Sequence, residues 1–207
     1  ILTWLTGDEI YVIGMDADAP NNALGTPTAT GLTFNVLAGF PIGGASNAEI
    51  YVWKAVAGSD GSDAITCSRT TGADDWGARA WQFRSSDGTG NTATLIDGTH
   101  VVSLARANNH SRVICGIADW SADADVTVDP SPASGGTVRD AIQTGGSGIA
   151  TYFTVDWTDQ GNLGATSYGV ANATGAGSKA KAAIEIYGTV AAAAELPILV
   201  MAPPRPT

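Results

Sequence analysis

Two stretches decide the fold class: Glu9-Ile10-Tyr11-Val12-Ile13-Gly14-Met15 and Ala48-Glu49-Ile50-Tyr51-Val52-Trp53-Lys54-Ala55-Val56. Both are rich in β-branched and aromatic residues, the types that fit a pleated surface. In a strand, successive side chains point to opposite faces. Ile10 and Val12 therefore share one face, and Tyr11 and Ile13 the other; likewise Ile50 and Val52 oppose Tyr51 and Trp53. A sheet with one wet face would place polar residues at alternate positions. Here both faces are apolar, so both need cover, from long loops of the same chain or from neighbouring subunits.

Outward from these stretches the pattern repeats. Short apolar or alternating runs occur at 31–37, 64–70, 78–84, 100–104, 112–119, 150–157, 167–171 and 182–187. Turn-forming breaks separate them: Ala19-Pro20-Asn21-Asn22, Gly58-Ser59-Asp60-Gly61, Asp87-Gly88-Thr89-Gly90 and residues 130–136. Short strands between Gly, Pro, Asn, Asp and Ser clusters predict an all-β protein. The expected architecture is a jelly-roll-like two-sheet antiparallel sandwich of about eight to ten strands. No stretch reads as a helix beyond one turn at Ala191–Glu195, which Pro197 would stop.

An internal echo runs through the chain at an offset of 103 residues. Thr71-Gly72-Ala73 meets Thr174-Gly175-Ala176, Trp81 meets Ile184, Phe83 meets Ile186, Ile10 meets Val113 and Asp16 meets Asp119. The echo suggests a duplicated four-strand unit. Neither half is large enough for a comfortable separate core, so residues 1–189 are expected to form one domain. Residues 190–207 stand apart as an extended arm. Within it Leu196, Ile198, Leu199, Val200 and Met201 would be costly to expose, and the Pro-rich end favours an extended conformation. This run is expected to add a strand to an open sheet edge, on a neighbouring subunit or on its own domain.

Composition narrows the function. Charged residues make up 14% of the 207, against roughly 25% in an average domain. The formal charge is −10, and an acidic chain repels phosphate backbones, so nucleic acid is not an expected partner. No apolar run reaches the length of a membrane span, and a membrane is not an expected partner either. His100 and His110 are the only histidines, and no GxSxG elbow, HExxH motif or dinucleotide fingerprint occurs. The expectation is a non-enzymatic protein without cofactor or metal.

Three constellations remain. Asp74 and Asp75 precede Trp76, and Asp123 lies near Trp120. Acids beside an aromatic ring suit a glycan contact, while Asp is also the usual turn residue and large aromatics the usual core. Asp16 with Asp18, or Asp123 with Asp125 and Asp129, offers hard oxygen ligands without matching a calcium loop. Cys67 and Cys115 fall in apparent strands, to be joined by a disulfide across the sandwich or buried as two free thiols.

The order of the pieces carries a resemblance. Gly7-Asp8-Glu9-Ile10 opens the first strand, and Tyr51-Val52-Trp53-Lys54-Ala55 follows a long loop. Then come Trp76, Phe83-Arg84-Ser85-Ser86-Asp87, Cys115-Gly116-Ile117-Ala118-Asp119-Trp120 and Ile184-Glu185-Ile186. From about Gly7 to Thr189 this resembles a loosely defined group of β-sandwich structural proteins of tailed bacteriophages, of the minor tail or decoration type. It is carried by general features, without a diagnostic motif. The resemblance implies a virion component, on the capsid or the tail, with copies of itself or other virion proteins as partners and no catalytic residues. The alternative expectation is a carbohydrate-binding or adhesin module on a virion or bacterial surface, contacting host glycans.

Overall fold

Residues 9–16 form a strand buried along its whole length, because it runs through the middle of a sheet that is covered on both faces. The computed structural model describes residues 1–16, 24–44, 47–69, 76–108, 110–119, 136–143, 151–157, 165–170, 179–188 and 198–200. In chain order the strands are β1 (Leu2–Trp4), β2 (Glu9–Asp16), β3 (Asn35–Val36), β4 (Ile42–Gly44), β5 (Asn47–Val56), β6 (Gly61–Asp63), β7 (Trp76–Phe83) and β8 (Ser86–Asp97). They continue with β9 (Val101–Ala105), β10 (Arg112–Asp119), β11 (Thr137–Gln143), β12 (Thr151–Trp157), β13 (Ala165–Gly169), β14 (Lys179–Gly188) and β15 (Ile198–Val200). No helix is present among the described residues.

Two large sheets carry the fold. The first has the order β15-β7-β2-β5-β3, with β4 also pairing β5; the second has the order β11-β12-β10-β14-β8. Two small sheets, β1-β6 and β9-β13, complete the set. Strand pairing is antiparallel throughout these sheets.

The period of two sorts the side chains into three apolar layers. The inner layer lies between the large sheets. Tyr11, Ile13, Met15, Ile50, Val52, Trp81 and Phe83 come from the first sheet, and Ile114, Ala118, Tyr152, Ala180, Ala182, Ile184 and Ile186 from the second. Gly116 sets the spacing there, since a Cβ on it would meet Ile13 Cγ2 at 2.6 Å. Ile10, Val12, Tyr51, Trp53, Ala55, Ala78 and Ala80 point the other way, out of the first sheet. They are covered by Leu2 and Trp4 of β1 and by Leu24, Phe34, Ala57 and Ile65. On the far side of the second sheet Val113, Cys115, Ile117, Phe153, Val155, Trp157 and Ala183 are covered by Val102 and Leu104 of β9 and by Tyr168 and Val170. The apolar outer faces that the sequence left open are thus covered by segments of the same chain.

The two large sheets share one plan. Shifting the bounds of β2 by 103 gives those of β10; the same shift lays β7 inside β14 and β3 inside β11, and β5 brackets β12. The neighbours also correspond: β7-β2-β5-β3 in one sheet, β14-β10-β12-β11 in the other. The edge strands cross over. The chain leaves β7 through Arg84 and Ser85, the latter at φ +54°, and enters β8 in the opposite sheet beside β14. Conversely β15, which follows β14 in the chain, pairs with β7 of the first sheet.

The sequence expectation needs correction in four places. Residues 64–69, the described part of the expected strand at 64–70, are not a strand; they contribute only isolated bridges, Thr28 to Thr66 and Leu24 to Arg69. Of residues 31–37 only Asn35–Val36 form one. Asp87-Gly88-Thr89-Gly90 is not a break, because it lies within β8, where the register shifts against Ile184 to Ile186 absorb the glycines. Strands β6 and β11 carry little apolar alternation and tertiary pairing creates them, while the alternation of β1, Leu2-Thr3-Trp4, spans only three residues.

Candidate functional site

The most concentrated chemistry among the described residues is a row of buried charges on β14. Ala180, Ala182, Ile184 and Ile186 of this strand face the inner layer, so Lys179, Lys181, Ala183 and Glu185 point outward, beneath β9 and β13. All three charged residues are fully buried. Burying a charge is expensive unless partners offset it, and each of the three has them: backbone N–H groups for Glu185, Asp97 and Thr99 for Lys181, and Asp119 for Lys179.

Glu185 holds one end of the cover. Its carboxylate accepts the backbone N–H of Asn91 at 2.9 Å and those of Ala107 and Asn108 at 3.0 Å. Burial acts to raise its pKa, but hydrogen bonds from Ser111 and from these N–H groups outweigh burial and hold it below the ordinary carboxyl value. Lys181 holds the other end. Its ammonium donates to the Asp97 carboxylate, to the Thr99 carbonyl at 2.8 Å and to Thr99 Oγ1 at 3.1 Å. The Lys181 hydrogen bond is the main reason that the Asp97 carboxyl falls to about 2. β9 is therefore fixed to the sheet at the turn that precedes it and at the loop that follows it.

Lys179 belongs to a tighter group. It faces Asp119 directly in the β10–β14 register. Its Nζ lies 4.0 Å from Asp119 Oδ1, and both side chains are fully buried. The other carboxylate oxygen, Oδ2, is hydrogen-bonded to His100 Nε2 at 2.6 Å. The His100 ring stands edge-on to Phe153, with centroids 6.0 Å apart. A carboxyl, an amine and an imidazole thus meet in a place shielded from solvent.

The corresponding position in the first sheet is different. Asp16 is fully buried and accepts hydrogen bonds from Arg69 Nε at 3.2 Å and Nη2 at 3.3 Å. Its carboxylate pairs with a guanidinium, while Asp18, Asp123, Asp125 and Asp129, the other oxygen ligands offered by the sequence, lie outside the described residues. Among the described residues no group of three or more His, Cys, Asp or Glu side chains converges as a metal site.

The residues singled out from sequence are distributed as follows. Trp76 opens β7 opposite Asp16 and is half-buried against the outer apolar layer of the first sheet. Asp74, Asp75, Trp120, Asp123, Leu196 and Met201 lie outside the described residues. Ile198, Leu199 and Val200 form β15, paired with Ala80, Arg79 and Ala78 of the same chain. Cys67 and Cys115 are free thiols, the second of the two arrangements that the sequence left open. Cys67 packs outside the first sheet and Cys115 outside the second, so the two large sheets lie between them. His110 sits in an exposed turn, as its Asn-rich surroundings suggest.

Sequence reasoning missed the group around His100, Asp119 and Lys179. Its one signal is the alternation Lys179-Ala180-Lys181-Ala182 leading into an apolar strand, which by itself reads as a wet face. Comparison of the chain with protein-family models, with curated proteins and with solved structures gives no match. No helix among the described residues is long and apolar enough to cross a membrane.

Proposed function

We propose that the protein is a non-enzymatic structural component of a bacteriophage particle, a capsid decoration or tail-associated protein. It joins copies of itself or other virion proteins on the particle surface. The observation that carries this reading is the placement of β15. A strand from the far end of the chain fills the edge of the first sheet through backbone pairing with β7, the geometry by which an extended segment adds to an open sheet. A strand that can fill this edge in its own chain can fill the same edge in a neighbour, and exchange of an identical element is a low-cost route to assembly.

The outer sheet faces are covered within the chain, so the proposal places assembly at strand edges and the arm. The acidic, charge-poor composition suits exposure on a particle. The crossing of β8 and β15 between the sheets is what a jelly-roll-like description rests on. The shared plan of the two sheets is what a duplicated origin would leave behind.

The test is the solution mass by light scattering of the whole chain and of a chain lacking residues 195–207. A defined oligomer that dissociates without the arm is expected. Monomers in both forms, with no binding to co-expressed virion proteins, would sink the reading.

A further inference from the structure

We infer that Lys179 and Asp119 are a site of self-modification, joined by an amide bond between Lys179 Nζ and Asp119 Cγ, with His100 as the catalytic residue that moves the protons. The inference is independent of the assembly proposal and rests on the geometry of three buried side chains.

Four observations carry it. The nucleophile and the electrophile face each other across paired strands, with Nζ and Oδ1 4.0 Å apart. Both side chains are fully buried, so no solvent competes for the amine or the acid. The reactive pair is the neutral amine and the neutral carboxylic acid, and a single proton passed between these two facing groups converts the ion pair into it. A proton carrier is in place, because His100 Nε2 lies 2.6 Å from Oδ2, within the reach that general acid–base catalysis needs. Finally, the site differs from its counterpart in the first sheet, where Asp16 meets the guanidinium of Arg69. A guanidinium is permanently charged and makes a lasting ion pair; an amine in the same role can react.

The chemistry balances without an oxidant or co-reactant. The Lys179 amine attacks Cγ of the protonated Asp119 carboxyl, forming one C–N bond. The nitrogen gives up a proton to the imidazole. His100 delivers a proton to the departing hydroxyl, one C–O bond breaks, and one water leaves. Holding amine and acid together in a fixed pair supplies effective molarities on the order of 10⁵–10⁸ M, which offsets the usual reluctance of acids and amines to condense. The product would tie β14 to β10, the central strand of its sheet. Neighbouring Lys181 is held by Asp97 and Thr99, which leaves Lys179 as the amine for Asp119.

The test is the intact mass of the purified, unfolded wild-type chain, followed by proteolysis and peptide mapping. A mass lower than the sequence mass by one water is expected, with a branched peptide joining Lys179 to Asp119. The Lys179→Arg and Asp119→Ala chains should show the full sequence mass. His100→Gln, recovered as folded protein, should lose water about 10²-fold more slowly. A wild-type chain of full sequence mass overturns the inference. So does a water loss that maps to cyclised Asp-Gly sequences such as Asp97-Gly98, or a branch through another lysine. Rapid, complete loss of water in His100→Gln overturns the role of His100.

Discussion

Both carboxylate oxygens of Glu185 accept the backbone N–H of Ala107, each at 3.0 Å. One side chain, buried on β14, thereby anchors the loop that ends the β9 cover. Glu185→Gln keeps the shape but turns an amide N–H toward backbone N–H groups. The expected loss is about 1–3 kcal/mol, measured as a lower urea midpoint at unchanged slope. Faster hydrogen exchange at Asn91 and Ala107 should precede global unfolding.

The same row of charges predicts acid sensitivity. Glu185 and Asp97 both have folded pKa values below their ordinary values of 4.5 and 3.8, Asp97 at about 2. A depressed carboxyl contributes stability that is fully present above the unfolded value and lost as pH falls through the folded one. Stability should therefore hold above about pH 5 and decline toward pH 2. Asp97→Asn should flatten the decline at its acid end. A Tm that is the same for both chains at every pH would refute this.

Gly116 of β10 packs closely against Ile13 of β2. A Cβ there would meet Ile13 Cγ2 at 2.6 Å, and Ile13 is itself fully buried between the sheets. Gly116→Val is expected to cost about 1–3 kcal/mol or more by overpacking. Gly58, with nothing near its would-be Cβ, is the control: Gly58→Ala should leave the denaturation midpoint nearly unchanged.

The covers on the outer faces should matter as much as the inner layer. Trp157 is almost fully buried and meets the Tyr168 ring edge-on at 4.8 Å. Trp157→Ala removes this contact and leaves a cavity beneath β13, with an expected loss of about 3–5 kcal/mol. Calorimetry would read it as a lower Tm.

The two thiols should be present and slow. Burial pushes both Cys67 and Cys115 up to about 12, so little thiolate exists near neutral pH. Two thiols should react with a chromogenic disulfide reagent only after unfolding. Quantitation of fewer than two in the unfolded, unreduced chain would restore the disulfide.

The sequence by itself determined the strand character and the need for cover. Ile10, Tyr11, Val12 and Ile13 in succession leave no wet face, and period-two geometry makes that conclusion independent of any partner. It also held the 103-residue echo, visible in Asp16 and Asp119, because equivalent strands need equivalent apolar patterns. Tertiary structure decided what local patterns could not encode. β8, whose Asp87-Gly88-Thr89-Gly90 reads as a turn, became a twelve-residue strand, because an edge strand draws its stability from backbone pairing with β14 more than from its own side chains. Lys179 and Lys181 read as a wet face, and the β9-β13 cover turned that face inward. Only the folded chain brings His100 to Asp119, because His100 lies in the turn before β9 and Asp119 ends β10, and a hydrogen bond between a turn and a distant strand leaves no period in the sequence.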